Sequence, residues 1–574
     1  MAHPPSPPPE HDQDRCTATK LSAAMAAMEV SSAANDGGPA ALQLTAAGAT
    51  DIGGGRENQD MWLSWTDPAG SGTAVLGVLD GHGRDIGRLA ALTGRDHILQ
   101  WLSDSGNVKV LRESPVESLG QLFESTHLAI KERFRVSLVE QGWQVEEVEE
   151  GGYLLKRRHA HLPWICVHGG SSCSLVLLLD GTRLLSANVG DSSVLLGRIR
   201  RTGGVCETLP IPENCMIRLA DLASEHLHDA DINQLLDGGA TSSGSKKRSR
   251  AFLSMLASRE NSYSSEEYAA PSLSTPAVAS ATTSSAASAL PASISPEAPP
   301  SPSKPVAVYD RRLPVPGETF PTPTPAGATS SYLLFCAEHS PESPLEFERL
   351  RRVRPASSRE RRGHPELLMV YDSPGHGGGG KAACPPIFEL NPADISQLPT
   401  VLNKGRYYKN VRSEWASLIS TPRPARFQDA LAFTRSLGDL HLQSYGVSYL
   451  PEVFEVDLAA LFSSSTSPAT PMDGSPGERE SVVLSLLACT DGVWDNWKFE
   501  DCINYVVDSN VLAAVHESEP PLAPGAVLTG DVPPVGSTIQ SAVDRLIAEN
   551  ARLSRRNFGS SADNATAILA YLWR

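Results

Sequence analysis

No stretch of this sequence reaches the run of about 18 apolar residues that a membrane-spanning helix needs. No membrane insertion is therefore expected. Paired-cysteine signatures are also missing. The nine cysteines, at 16, 166, 173, 206, 215, 336, 384, 489 and 502, are odd in number and scattered, with no CxxC and no Cys/His cluster. That pattern argues against a disulfide framework and against a zinc site, and predicts reduced thiols. Cys173 and Cys489 sit in apolar runs and read as small core residues. Positive charge is scarce: 49 Lys and Arg face 66 Asp and Glu, a net charge of −17. Such a balance excludes general affinity for nucleic acid or anionic membrane. The first residues, MAHPPSPPPEHD, lack a basic start and an apolar core, so no secretory signal is expected. Ala2 in place of Gly removes N-myristoylation. The expected location is the cytoplasm, with Lys246-Lys247-Arg248-Ser249-Arg250 as a candidate nuclear signal.

The apolar share of 40% supplies enough material for a globular core, but 44 Pro and 46 Gly are unevenly spread. Residues 1–40 are rich in Pro, Ala and Ser and read as a disordered tail. The stretch Ala240–Pro325 is dominated by Ser, Ala, Pro and Thr, which cannot bury enough apolar surface to offset chain entropy. We read 236–425 as one long insertion, with ordered islands near Tyr332–Cys336 and Leu367–Tyr371. The ordered domain is then 41–235 joined to 426–574.

Within that domain, short apolar strands are separated by turn dipeptides. Met61–Trp65 and Val75–Asp80 lie close together, which favours antiparallel pairing. Ser172–Leu179, Arg183–Val189 and Ser193–Arg198, split by Asp180-Gly181 and Gly190-Asp191, read as a meander. Helical spacing of apolar residues predicts helices over Gly87–Leu102, Glu117–Leu138, Phe499–Val507 and Ser537–Leu553. A last strand is predicted at Ala565–Leu572. The charged stretch Gln141–Arg158 has no clear periodicity.

The most telling stretch is Val75–Gly83, VLGVLDGHG. A buried strand ending in a charge is costly unless something pairs with that charge. An Asp followed by Gly at a strand end suits a hard cation with oxygen ligands, and also suits a plain turn. His82 follows as a candidate general acid. Further signals stand in order along the chain: Arg56 to Asn58-Gln59-Asp60; Ser186-Ala187-Asn188-Val189-Gly190-Asp191-Ser192; Thr434-Arg435-Ser436-Leu437-Gly438-Asp439; Thr490-Asp491-Gly492-Val493-Trp494-Asp495; and Ser561-Ala562-Asp563-Asn564. Asp191 and Asp439 read equally well as turn residues and are left out of the ligand set. Arg435 reads as a loop tether.

This ordered set resembles the metal-dependent serine/threonine protein phosphatases, the PPM or protein phosphatase 2C family. The resemblance implies an α+β fold, a four-layer αββα sandwich of two antiparallel sheets flanked by helices. It implies two Mg²⁺ or Mn²⁺ ions held by Asp80, the Gly81 carbonyl, Asp491, Asp563 and Asp60. It implies that Arg56 holds phosphate oxygens and that His82 protonates the leaving Ser or Thr oxygen. The partners would be phosphoprotein substrates, and the chain a monomer. Three departures stand out. Gln59 replaces one member of an acidic pair, Arg56 lies four residues before Asp60 where five is usual, and Val167-His168 stands where many relatives carry an Asp. Asp495 matches a third-ion carboxylate, but its partner is missing, so a third ion is not expected. A non-catalytic member that binds phosphoproteins is the alternative.

Overall fold

A computed structural model describes residues 42–83, 86–148, 152–202, 205–212, 214–225, 331–352, 367–372, 384–389, 400–401, 405, 407–422, 425–463, 481–507, 521–530 and 538–574. The expected tail at 1–40 and the low-complexity stretch 240–325 lie outside these residues. All described residues belong to the unit Ala41–Arg574.

Alternation along the strands builds the layers. In the strand Ala74–His82, Ala74, Leu76 and Val78 face one core while Val75 and Leu79 face another. In Ala565–Trp573, Ile568, Ala570 and Leu572 join Leu76 and Val78, while Ala567, Leu569 and Tyr571 face away. The shared cluster is the filling between two sheets. The two outer clusters lie under helices: Gly87–Leu102 and Pro115–Glu140 cover one sheet, and Phe499–Val506 and Thr538–Asn557 cover the other. This is the expected αββα sandwich.

The first sheet runs Gln43–Asp51, Ala565–Trp573, Ser481–Cys489, Ser193–Thr202, Val205–Leu209, with Tyr332–Leu334 also on Ser193–Thr202. The second runs Met216–Asp221, Glu452–Val456, Arg183–Val189, Gly170–Leu179, Ala74–His82, Met61–Thr66, Val527–Thr529, with Leu437–Gly438 also on Gly170–Leu179. Every pairing in both is antiparallel. Gly77 leaves room for Leu175: a Cβ there would meet Leu175 Cδ2 at 2.6 Å, and that side chain would have to shift.

Two departures from the sequence reading have simple causes. Gln141–Arg158 forms a hairpin, Gln144–Val148 with Tyr153–Arg157, extended by Ile165–Cys166. Only its second strand is buried, through Tyr153, Leu154 and Leu155, so the periodicity is hidden by a charged, exposed partner. The helix Ser105–Glu113 was not expected. It buries only Val108 and Leu111 and starts on an Asp104 side chain that accepts from the Gly106 amide at 2.8 Å.

The insertion islands are tied into the domain by buried charge. Glu346 lies on the helix Pro344–Arg352 and accepts from Arg435 Nη2 at 2.5 Å and from Arg349 Nη2 at 2.8 Å. Arg435, fully buried, also reaches Asp221 Oδ1 at 2.9 Å and Glu452 Oε1 at 3.1 Å. Arg218 closes the network on Asp221 and Glu452 at 2.5 and 3.0 Å. Burial works against the Glu346 charge, but the neighbouring guanidinium groups of Arg349 and Arg435 hold it well below the ordinary carboxylate range.

Removing one partner of such a network leaves an uncompensated buried charge. Arg435→Met is expected to cost about 3–5 kcal/mol, read as a lowered denaturant midpoint in equilibrium unfolding. A second expectation concerns pH. His127 is buried on the helix Pro115–Glu140 and accepts the Gly438 amide at Nδ1, 3.2 Å, so its ring is neutral. Burial, then Lys131, pushes it down to about 3. The unfolded chain, with its ordinary value near 6.5, binds the proton first, so this contribution is complete above pH 6.5 and is lost as pH falls. Between pH 6.5 and 5 the loss is about 2 kcal/mol. In denaturation at the two pH values, His127→Gln should show a correspondingly shallower fall than wild type.

Candidate metal centre

Each acidic residue of the candidate site stands at an end of a sheet strand. Asp60 precedes Met61–Thr66, Asp80 closes the apolar part of Ala74–His82, and Asp191 follows Arg183–Val189. Asp491 follows Ser481–Cys489 across Thr490, and Asp563 precedes Ala565–Trp573. By strand parity, Asp80 continues the inter-sheet face of Leu76 and Val78. The sandwich thus delivers carboxylates from both sheets to one place.

Carboxylate oxygens of Asp80, Asp191 and Asp491 lie within 4.8 Å of one another. Asp60 is buried, and its Oδ2 accepts from Thr490 Oγ1 at 2.8 Å. Its Oδ1 is buried with no hydrogen-bond partner, as are the Oδ1 atoms of Asp191 and Asp495. Burial, then the charges of Asp60, Asp491, Asp191 and Asp563, raises the Asp80 carboxyl well above its usual range. Burial raises Asp60 to about 7, with hydrogen bonds from Thr490 and Thr566 opposing it and Asp563 and Asp491 adding to it. Burial and then Asp491 raise Asp191 to about 7. Asp563 keeps an exposed edge, yet packing around its carboxyl and then Asp491 raise it to about 6. Orphaned buried oxygens and crowded carboxylates form an oxygen donor set that fits a hard divalent cation.

The backbone around Asp80 is pinned. A Cβ on Gly81 would lie 2.3 Å from the Gly87 carbonyl oxygen and 2.6 Å from that of Gln59, so only glycine fits. The Gln59 side-chain amide donates to the Gly83 carbonyl at 3.1 Å, and the Gln59 backbone amide donates to Asn564 Oδ1 at 2.7 Å. Gln59 therefore holds the His82 turn to the segment that carries Asp563. A glutamate there would set a carboxylate against a carbonyl oxygen.

His82 Nε2 meets Asp439 Oδ2 at 2.7 Å, while Nδ1 is buried with no partner. Burial disfavours the charged ring, but the Asp439 charge and hydrogen bond outweigh it and raise the His82 pKa. Asp439 is itself buried and in the left-handed region at φ +42°. Arg56 is exposed on the turn before Asp60, and among the described residues no hydrogen bond or ion pair joins it to the carboxylates. The structure therefore brings Asp60, Asp80, Asp491 and Asp563 together around Gly81 and His82, and does not bring Arg56 among them.

Three further residues belong here. Asp191 repeats the signal of Asp80-Gly81, an apolar strand running into a Gly/Asp turn, which is the mark that could have included it; Asp439 follows only the two-residue strand Leu437–Gly438. Lys409 carried no such mark. The segment 407–416 folds back through Lys409 N to the Glu414 carbonyl at 2.7 Å. It docks on the Asp491–Trp494 helix through Val411 N to the Asp495 carbonyl at 3.2 Å and through Arg412 Nη1 to the Trp494 carbonyl. Burial lowers the tendency of Lys409 to hold its proton, but Asp191, Asp495, Glu414 and Asp491 together raise its pKa. Asp495 is pushed up to about 8 by burial and then Asp491, with Lys409 opposing.

No protein-family model and no curated protein matches the chain. Among solved structures it is similar to serine-threonine phosphatase 2C from Toxoplasma gondii, at 12% identity over 93% of this chain and 95% of that one, with a TM-score of 0.37. It is also similar to the PPM Ser-Thr phosphatase MsPP from Mycobacterium smegmatis, at 12% identity over 92% and 98%, TM-score 0.26. A third likeness is to the catalytic domain of the serine threonine protein phosphatase PstP in complex with two manganese ions, at 10% identity over 92% and 99%, TM-score 0.26. Likeness at these values carries no functional weight, and what the site can do follows from its own residues.

A ligand that binds only the folded chain stabilises it by RT ln(1 + [L]/Kd), about 2.7 kcal/mol at a hundredfold excess over Kd. Mn²⁺ or Mg²⁺ added to chelator-treated protein should raise its melting temperature. Asp191→Asn should reduce that increment in the same titration, followed by scanning calorimetry.

Proposed function

We propose that the chain is a metal-dependent phosphatase acting on phosphoserine and phosphothreonine in proteins. The observation that carries this reading is the meeting of strand-end carboxylates, Asp60 buried and Asp80, Asp191 and Asp491 half-buried, beside a histidine that an aspartate holds. In this reading Asp60, Asp80, the Gly81 carbonyl, Asp491 and Asp563 hold two Mg²⁺ or Mn²⁺ ions, and Asp191 adds a further oxygen donor. Such a pair, when bound, supplies a nucleophile from water at neutral pH and neutralises phosphate charge.

The chain's own residues do the rest. Asp439 fixes His82 through Nε2, and the imidazole, partly exposed beside the carboxylates, is the proton donor to the leaving serine or threonine oxygen. The raised pKa of His82 keeps that proton available near neutral pH. Gln59 fixes the Gly83 carbonyl and with it the turn that presents His82. Arg56, on the exposed turn, receives the phosphate of an arriving phosphoprotein.

A second reading is a phosphoprotein-binding module without turnover. It is favoured by Lys409, whose ammonium offsets part of the carboxylate charge that would otherwise be left to cations. Phosphate release from a phosphoserine or phosphothreonine peptide decides between the two. The phosphatase reading expects Mn²⁺-dependent release that chelator abolishes and that Asp80→Ala and Asp491→Ala each reduce by at least a hundredfold. Folded wild type with no metal-dependent release would favour the binding module. Release that survives both substitutions would rule out the proposed centre.

A further inference from the structure

Near the start of the Gly170–Leu179 strand, the chain assembles a second group of donors, of different chemistry. One ligand atom each from Cys166, His168 and His441 lie within 4.8 Å of one another. Cys166 ends the hairpin sheet strand Ile165–Cys166, His168 stands two residues on, and His441 lies in the short helix Leu440–Gln443. The sequence alone excludes a Cys/His metal site because 166 and 441 are far apart. The fold removes that separation.

The geometry points to a transition-metal site of the zinc class, held by the Cys166 thiolate and the imidazoles of His168 and His441, with Asp429 orienting His168. Two observations carry it besides proximity. First, His441 is 1% exposed, yet its Nδ1 has no hydrogen-bond partner; the nearest carboxylate oxygen, Asp429 Oδ2, is at 3.8 Å. Aromatic rings of Tyr153, Phe427 and Tyr445 surround it edge-on, and none of them replaces the missing partner. Second, His168 Nδ1 meets Asp429 Oδ2 at 2.7 Å, which leaves Nε2 for an ion. A ligating histidine commonly has its other ring nitrogen held by a carboxylate in this way. His168 is 39% exposed, so an ion can enter from solvent and keep a water as its fourth ligand.

The donor set selects the metal. A thiolate with two imidazoles suits Zn²⁺ or Co²⁺ and does not suit Mg²⁺, which takes oxygen. Bonds of about 2.3 Å to sulfur and 2.0–2.1 Å to nitrogen require the three atoms to close in by up to about an ångström, a motion within side-chain rotation. Cys166 is a buried free thiol, so on binding its S–H breaks, an S–metal bond forms and the proton passes to water. His441 lies two residues from Asp439, which holds His82. An ion here would brace the turn that carries Asp439.

The test uses the full chain, stripped with chelator and titrated with Co²⁺ under excess Mg²⁺, which occupies oxygen sites. One Co²⁺ should bind with a thiolate-to-cobalt charge-transfer band and the intense visible absorption of four-coordinate cobalt. Cys166→Ser should abolish the charge-transfer band, His168→Gln should weaken Co²⁺ at least tenfold, and Asp429→Asn should weaken it by about 10–100-fold. Asp80→Ala should leave the band intact, which separates this site from the phosphatase reading. A wild-type spectrum without the band overturns the proposal, as does a band unchanged in Cys166→Ser. If Cys166→Ser fails to fold, the exposed His168→Gln decides: unchanged Co²⁺ affinity overturns the proposal.

Discussion

Carboxylate repulsion at one end of the sandwich is the constraint on which the rest of the structure turns. Asp60, Asp80, Asp191, Asp491 and Asp563 each stand at or beside a strand end, which fixes where their backbones lie. Their mutual charge must be met by protons, by an ammonium or by cations. The surrounding residues make sense as responses to this. Thr490 donates to Asp60, Lys409 arrives from the insertion, and Gly81 leaves no room for a side chain that would wedge the site open.

The sheets can hold this arrangement because their cores are complete on both faces. Leu79 and Val78 are fully buried on opposite sides of the same strand, one under helices and one between sheets. Truncating either to alanine would lose packing on one face only, and core leucine truncations cost about 2–5 kcal/mol. The Arg435 network adds a different kind of hold. It contributes geometric specificity, because a buried guanidinium meeting Glu346, Asp221 and Glu452 tolerates only one arrangement of three separate segments.

Much of the fold was legible in the sequence because its strands are short, apolar and punctuated by Gly/Asp turns. Gly87–Leu102 matches its expected span, and Pro115–Glu140 extends the expected one by a turn's fraction at each end. Asp80, Asp491 and Asp563 were legible for the same reason, as charges placed where a strand stops. What could not be read was pairing across distance. His82 and Asp439 are 357 residues apart, and nothing local to Asp439 distinguishes it from an ordinary turn. Lys409, Glu346 and the Cys166–His441 contact depend on where the insertion returns, which periodicity does not encode. Arg435 looked like a loop tether and is a buried hub, because burial is a property of its neighbours and not of its own sequence.

The pairing of Gln43–Asp51 has a consequence in time. Among the described residues its one sheet partner is the last strand, from Gln43 with Trp573 to Asp51 with Ala565. That last strand is also the inner member that joins it to Ser481–Cys489. At about 5–20 residues per second, the roughly 500 residues between them take on the order of a minute to synthesise. During that minute the first strand has no place in its sheet, and Asp563 does not yet exist. The carboxylate end of the sandwich therefore cannot close until Asp563 and the strand that follows it have been made.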